Sequence, residues 1–159
     1  MMSEKTNVAR LCDNELIEYK LLSYETNDEN LDGKSVAIKL NISEDEIFKT
    51  LVTIGASGEI YVFVIPVSQE LDLKKAAKAS GEKSIQMLPL KNLLSVTGYV
   101  KGGCSPLGMR KQYRTFFDET IELLDIITFN AGKIGLQLQL STIDLKRLLN
   151  YEVADLSKS

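Results

Sequence analysis

The sequence predicts a mixed α/β (α+β) domain: a curled, mixed, barrel-like sheet of six or more strands surrounded by helices. Three observations predict it. Two strongly apolar segments, Ile47–Ile54 and Ile60–Ile65, are joined by the turn Gly55-Ala-Ser-Gly58; β-branched runs bounded by such turns read as strands. Ile134–Leu140 alternates, with Leu136, Leu138 and Leu140 on one face and Gln137 and Gln139 on the other, the period of a half-buried strand. Short capped amphipathic stretches lie between the strands, so helices are interspersed with the sheet and pack on it. At 159 residues the chain, 1–159, reads as one domain able to bury its own core.

The elements follow in order. Residues 3–13 suit a short amphipathic helix, with Val8, Ala9, Leu11 and Cys12 as its apolar positions. Ile17–Tyr24 is a strand, with Ile17, Tyr19 and Leu21 opposite in parity to Glu18 and Lys20. Asn27–Gly33 is polar and loop-like. Ser35–Leu40 predicts a short helix, and Ser43-Glu-Asp-Glu46 a helix start with a capping-box pattern. Ile60–Ile65 is apolar on both faces, so it belongs in the middle of the sheet, and Pro66 ends it. Leu71–Ser80 predicts a helix with Leu73, Ala76 and Ala77 inward, lysines outward and Gly81 as its C-terminal cap. Ile85–Leu88 is a brief strand. Pro89–Val96 predicts a helix with proline in its first turn, followed by Gly98. Arg114–Asp118 and Asp125–Phe129 are strands, with a short helix or turn at Glu119–Leu124 between them. Ser141-Thr-Ile-Asp144 opens a last helix that runs to Leu149.

Composition narrows the chemistry. There is no histidine, which excludes a Ser-His-Asp triad, a Cys-His pair and histidine-ligated zinc. Cys12 and Cys104 are too few for a disulfide framework or a thiolate zinc site. They read as reduced thiols in a reducing compartment. Met1–Asn7 has no apolar leader core, and no apolar run reaches the length of a membrane span, so the reading is cytoplasmic. The net charge of −3 is uneven. Glu25–Glu46 holds seven acids against two lysines, whereas Lys101–Phe117 holds Lys101, Arg110, Lys111 and Arg114 and no acid. The second stretch hints at an anionic ligand, while the overall acidity argues against strong non-specific nucleic-acid binding.

Three places stand out. Gly98–Lys111 holds four glycines, one proline and three bases. Such a backbone turns tightly and can aim several N–H groups at one spot, a cradle for an anion or a carbonyl oxygen; it is also what a solvated turn needs. Lys49 interrupts the otherwise apolar Ile47–Ile54. Lysine is rarely buried unless paired, and alone it reads as an edge-strand residue whose stem covers apolar surface. Asn130-Ala-Gly-Lys133 follows a strand as binding turns do, and by itself is a hairpin turn. Cys104, with no base to activate it, reads as a small residue in a tight loop.

Together these places resemble the YbaK/EbsC family, freestanding relatives of the editing (INS) domain of bacterial prolyl-tRNA synthetases. Four segments carry the resemblance, in the family's order: Phe48-Lys-Thr-Leu51, Leu71-Asp-Leu-Lys-Lys-Ala-Ala-Lys78, Thr97-Gly-Tyr-Val-Lys-Gly-Gly-Cys-Ser-Pro-Leu-Gly108 and Gly132-Lys-Ile-Gly-Leu136. It runs from about Leu11 to the C-terminus.

The resemblance implies a trans-editing aminoacyl-tRNA deacylase that hydrolyses mischarged Cys-tRNA(Pro), and by extension Cys-tRNA(Cys). The substrate's own thiol would attack the ester. Alternatives are a deacylase for alanyl or seryl tRNA, and a non-catalytic module that binds a tRNA 3′ end or a synthetase. Lys49 matches the family's essential lysine, and Gly102 and Gly103 its glycine pair. The substrate-binding set implied is Tyr19, Thr50, Lys101, Ser105, Pro106, Asn130, Gly132, Lys133 and Gln137. The implied partners are the tRNA(Pro) acceptor end and prolyl-tRNA synthetase, with no cofactor, metal or membrane. The chain departs from the pattern in places. It has Asn130-Ala131-Gly132 where cysteine-specific members carry Ser-Gly-Gly, Gln137 in place of an acid, and Asp32 in place of an aromatic. Those positions shape the pocket and bear on amino-acid preference.

Overall fold

Thr6 opens the first helix. Its hydroxyl accepts from the Ala9 amide at 3.3 Å, and α1 runs over Asn7–Asn14 with Val8, Ala9 and Cys12 buried. The computed structural model describes residues 5–159. The parts of the helix expected at 3–13, and of the leader reading, that fall on residues 1–4 lie outside the described residues. Strand β1 (Tyr19–Ser23) follows. Then α2 (Gly33–Leu40) is capped by Asp32, whose carboxylate accepts from the Ser35 amide at 3.3 Å. An acid at position 32 therefore has a local task, the N-cap.

The helix start expected at Ser43–Glu46 is instead a turn. The Glu46 amide donates to the Ser43 carbonyl at 3.0 Å and the Asp45 amide to the Ser43 hydroxyl at 3.3 Å. The residues beyond are β-formers, so the chain enters β2 (Phe48–Gly55) directly. β2 pairs antiparallel with β3 (Ile60–Pro66), setting Lys49 opposite Ile65 and Thr50 opposite Val64. β3 is the central strand, and Val62, Phe63, Val64 and Ile65 are fully buried.

Helix α3 (Leu73–Ser80) ends at Gly81, whose φ of 78° is one that glycine adopts without strain. Leu73, expected inward, is 40% exposed. Asp72 is the N-cap, so the helix begins with Leu73 on its solvent side, and Leu71 takes the inward place. β4 (Ile85–Met87) comes next. The helix expected over 89–96 is a 3-10 turn at Leu90–Asn92 running into α4 (Leu93–Thr97). β5 (Arg114–Asp118), a 3-10 turn, β6 (Ile126–Lys133), β7 (Leu136–Ser141) and α5 (Thr142–Leu148) follow. The Ser141 hydroxyl caps α5 by accepting from the Ile143 and Asp144 amides. A strand with no sequence counterpart, β8 (Glu152–Ala154), pairs parallel with β5.

The protein is a mixed α/β fold, but its strands do not form one curled barrel-like sheet. There are two sheets: an antiparallel β1-β7-β6 and a mixed β4-β2-β3-β5-β8. They touch through one parallel bridge, Ile47 to Thr128. β4 pairs with β2 at Thr53–Gly55, and β6 meets the large sheet beside Ile47. Between those ends the sheets part along Phe48–Val52. One core fills the space between the sheets, with Phe48, Val64, Phe117, Phe129 and Leu138 in it. A second lies between the large sheet and α3, with Phe63, Ile65, Ala76 and Phe116. Among the described residues no helix is long and apolar enough to cross a membrane.

Candidate active site

Lys49 stands where the sheets part, half-buried on β2. Burial pushes its ammonium pKa below the ordinary lysine value; nearby Glu70 raises it and Lys34 lowers it further. A charge held in a partly dry site interacts more strongly with a developing anion than one in bulk water. The next residue, Thr50, has its hydroxyl oxygen buried with no hydrogen-bond partner among the described residues.

The glycine loop closes over this strand. Gly98 and Gly102 have φ values of 86° and 82°, which a side chain would strain. Gly103 is required for a different reason. A Cβ there would lie 3.0 Å from the Ile134 backbone nitrogen, so a side chain would push the loop and the β6–β7 hairpin apart by a few tenths of an ångström. The Gly103 amide donates to the Val100 carbonyl at 3.0 Å and is occupied by the turn. The Tyr99 hydroxyl donates to the Leu107 carbonyl at 2.5 Å, and the Ser105 hydroxyl accepts from the Leu107 amide at 3.2 Å. Among the described residues the fold gives no acceptor to the amides of Gly102 and Cys104.

The hairpin between β6 and β7 supplies the far wall. β6 runs on through the expected turn to Lys133 with a bulge between Asn130 and Lys133, and the turn itself falls at Ile134–Gly135. Asn130 organises the bulge. Its Oδ1 accepts from the Gly132 and Lys133 amides at 2.7 and 3.0 Å, and its Nδ2 donates to the Gly102 and Lys133 carbonyls at 2.9 and 3.2 Å. Gln137 pairs with Asn130 across the strands. It is 6% exposed although it lies on the expected polar face, and its Oε1 is buried without a partner among the described residues.

The cleft so formed has a volume of about 130 Å³ and brings together Lys49, Thr50, Gly102, Cys104, Asn130 and Gln137. Among the described residues no carboxylate lines it. Larger hollows occur elsewhere on the surface, but this one brings Lys49 next to the glycine loop and the β6–β7 hairpin. Burial drives the Cys104 thiol up to about 12, so it is not a thiolate near neutral pH. Gly33 and Val67, outside the expected site residues, also line the cleft. A Cβ on Gly33 would lie 2.5 Å from Val67 Cγ1. The signal was a glycine at the first position of a helix, where a better helix former is expected.

Other expected site residues lie elsewhere. Tyr19 donates from its hydroxyl to Asp13 Oδ1 at 2.9 Å and faces a separate hollow with Lys20, Gln139 and Asp144. Lys101 is exposed on the loop. Ser105 and Pro106 are buried at its base. Gly132 and Lys133 line a hollow on the other side of the bulge, with Lys5, Arg10 and Tyr99. Arg114, counted with the basic stretch, is held by Glu152 in a two-pronged pair at 2.6 and 2.8 Å.

Three comparisons bear on this geometry. Residues 32–148 match the family model described as aminoacyl-tRNA editing domain. A protein of Enterococcus faecalis provisionally named Cys-tRNA(Pro)/Cys-tRNA(Cys) deacylase EbsC is 43% identical over 154 residues, covering 97% of this chain and 94% of that one. Two solved structures superpose closely at 22% identity. One, described provisionally as a trans-editing enzyme for prolyl tRNA synthetase, has a TM-score of 0.82 and covers 98% of this chain and 100% of its own. The other, a hypothetical protein, has a TM-score of 0.86 and covers 96% and 100%. At that identity they establish the fold alone.

Proposed function

The chain belongs to the aminoacyl-tRNA editing domain family, and from that premise we propose that it hydrolyses Cys-tRNA(Pro), releasing cysteine wrongly attached to the proline tRNA. It acts in trans, as a freestanding deacylase working in the cytoplasm beside prolyl-tRNA synthetase, with residues 1–159 forming one editing domain. Cys-tRNA(Cys) is a second substrate, in keeping with the name of the 43% identical relative. The observation that carries the reading is the cleft itself: a half-buried Lys49 beside the Gly102 loop, with no histidine in the chain and a protonated Cys104.

Such a site holds no activated nucleophile, so the nucleophile comes with the substrate. The cysteinyl thiolate attacks its own ester carbonyl, and a tetrahedral oxyanion forms. The bond to the ribose 3′-oxygen then breaks, and that oxygen takes a proton from solvent. The products are tRNA with a free 3′-hydroxyl and cysteine thiolactone, which water opens to cysteine. Lys49 and the amides of Gly102 and Cys104 stabilise the oxyanion; one such preorganised donor is worth about 3 kcal/mol. The walls of the cleft fold the acyl group so that sulfur meets carbonyl carbon, a positioning effect that reaches ~7–11 kcal/mol in ideal geometry. Gly103 and Asn130 fix the loop and the hairpin relative to each other.

The test is single-turnover deacylation of Cys-tRNA(Pro) by the wild-type protein and by Lys49→Ala. Ester cleavage by the first, reduced about 100-fold or more in a folded second, supports the reading. Absence of cleavage by the wild type, with and without prolyl-tRNA synthetase, overturns it.

A further inference from the structure

The glycine loop meets the bulge of β6 at two places. At the cleft, the Gly102 carbonyl accepts from Asn130 Nδ2 at 2.9 Å. At the neighbouring hollow, which Gly132 lines, the ring of Tyr99 lies against the same bulge. A Cβ on Gly132 would lie 3.1 Å from Tyr99 Cε1, and one on Gly108 would lie 2.8 Å from the Tyr99 hydroxyl oxygen. The phenol therefore touches the bulge and the far end of its own loop at once. Its hydroxyl donates to the Leu107 carbonyl at 2.5 Å. Val8 of α1 packs on the same two glycines, 3.2 and 3.7 Å from those Cβ positions. Gly132 and Gly108 have φ values of 95° and 74°, so conformation and space alike disfavour a side chain at either. We infer that Tyr99 is a positioning residue for deacylation, its ring setting the spacing between the glycine turn and the β6–β7 hairpin. The kinetic consequence rests on the deacylase reading above.

The path from ring to cleft is short. Tyr99 leads directly into the turn Val100–Gly103, which the Gly103 amide closes on the Val100 carbonyl at 3.0 Å. Gly102 occupies the third place of that turn with a φ of 82°, the position at which a type II turn calls for glycine. On the other side the Tyr99 amide donates to the Thr97 hydroxyl at 3.0 Å. Backbone and side chain are thus both tied, and a shift of the ring is passed to Gly102 and Cys104, which line the cleft. Burial pushes the phenol up to about 12, with Cys104 adding to the effect, so the hydroxyl stays a donor near neutral pH. Tyr99 does not itself line the cleft and acts through the loop. Loss of its ring weakens what the loop does for the transition state and leaves substrate binding elsewhere intact, the pattern that lowers kcat without raising KM.

The test compares wild-type protein with Tyr99→Phe, which keeps the ring, and Tyr99→Leu, which removes it. Single-turnover cleavage of Cys-tRNA(Pro) gives a maximal rate and a half-saturating concentration. Amide exchange at Gly103, followed by NMR without substrate, reports how tightly the turn is held. Tyr99→Phe is expected to keep the maximal rate within about threefold and to keep Gly103 protected. In Tyr99→Leu the maximal rate falls roughly 10–100-fold, the scale of a displacement of up to ~1 Å in an oriented reaction. Its half-saturating concentration stays within about threefold of wild type, and Gly103 exchanges faster. Where Tyr99→Leu does not fold, Tyr99→Met takes its place, a flexible chain that fills the space without a ring. A folded ringless variant with an unchanged maximal rate overturns the inference, as does a loss confined to half-saturation or a Gly103 amide as protected as in the wild type. If the wild type cleaves no ester, the deacylase reading falls instead, and Gly103 exchange alone decides whether Tyr99 sets the loop.

Discussion

Asn130 Nδ2 donates to the Gly102 carbonyl oxygen at 2.9 Å, across twenty-eight residues of chain. The same side chain makes three further bonds to the bulge it belongs to, so the glycine loop and the β6–β7 hairpin behave as one unit. Asn130 is therefore a positioning residue, with no hydrogen-bonding capacity left over for a ligand.

Asn130→Asp tests this. The carboxylate still accepts from the Gly132 and Lys133 amides but sets a charged oxygen against the Gly102 carbonyl. A loss of ~1–3 kcal/mol, at about 2–4 °C per kcal/mol for a chain of this size, lowers Tm by several degrees. Deacylation falls with it as the loop detaches. A variant with unchanged Tm and activity would remove the bracing role.

Gly103→Ala places a methyl group 3.0 Å from the Ile134 backbone nitrogen, and a backbone atom held in a hairpin cannot step aside. The expected outcome is a folded protein with the loop shifted by a few tenths of an ångström and kcat/KM reduced by up to about 100-fold, the effect of a misplacement of ~1 Å on oriented reactions. Kinetics of this single variant decide it.

Lys49 carries a prediction with a sign. Its pKa is lowered by burial, so the folded state gives up this proton more readily than the unfolded chain. The penalty for burying the charge is fully present below the folded pKa and disappears as pH rises towards 10.5, the ordinary value. Lys49→Met thus matches or exceeds the wild type in Tm at neutral pH, and the wild type gains on it in alkaline buffer. Parallel Tm-against-pH curves would contradict this. The same variant loses about 100-fold or more in kcat/KM, which separates the lysine's work in catalysis from its effect on stability.

Cys104 lines the cleft, yet its thiol is driven up to about 12, and buried Cys12 up to about 11. Both therefore react slowly with a disulfide reagent at pH 8 in the native state and fast after denaturation. Cys104→Ser keeps most of the deacylase activity. A covalent acyl-enzyme trapped at Cys104 would reverse this assignment.

With Arg114 committed to Glu152, Lys101, Arg110 and Lys111 remain as the exposed bases of the loop stretch. Three phosphate contacts give a log–log salt slope of about −2 to −3. Binding of tRNA(Pro) by the protein alone is then weak and salt-sensitive, and it tightens when prolyl-tRNA synthetase is added. Tight binding that ignores salt would contradict it.

Much of the site was legible because it rests on local chemistry. A lysine in an apolar strand and glycines in a basic loop are visible without coordinates, and the resemblance to a known family joined them. The central place of β3 followed from its two apolar faces. What depends on register was hidden. The split into two sheets lies in the register, with β4 on β2 at Thr53–Gly55 and β6 bridged beside Ile47, and no periodicity reports that. β8 has a single strongly apolar residue, Val153, and pairs parallel with a strand far away in sequence, so no turn announces it. Ser43 does accept hydrogen bonds as a cap would, but the chain beyond it is β-forming. Tyr19 was assigned to substrate through the resemblance, and only the fold shows its hydroxyl on Asp13. The bracing role of Asn130 looked like a hairpin turn because Asn and Gly serve both purposes.

The central claim is that the substrate brings its own nucleophile, and the most direct measurement compares Cys-, Ser- and Ala-tRNA(Pro) under single-turnover conditions with a thiolactone-trapping reagent present. A thiol of pKa ~8.5 is a few per cent thiolate at neutral pH and strongly nucleophilic; a serine hydroxyl ionises far less readily, and alanine offers nothing. The account predicts fast cleavage of Cys-tRNA(Pro) with trapped cysteine thiolactone, much slower cleavage of the seryl ester and almost none of the alanyl ester. Cleavage of Ala-tRNA(Pro) as fast as Cys-tRNA(Pro), with no thiolactone trapped, would contradict it and point to a water positioned by the cleft.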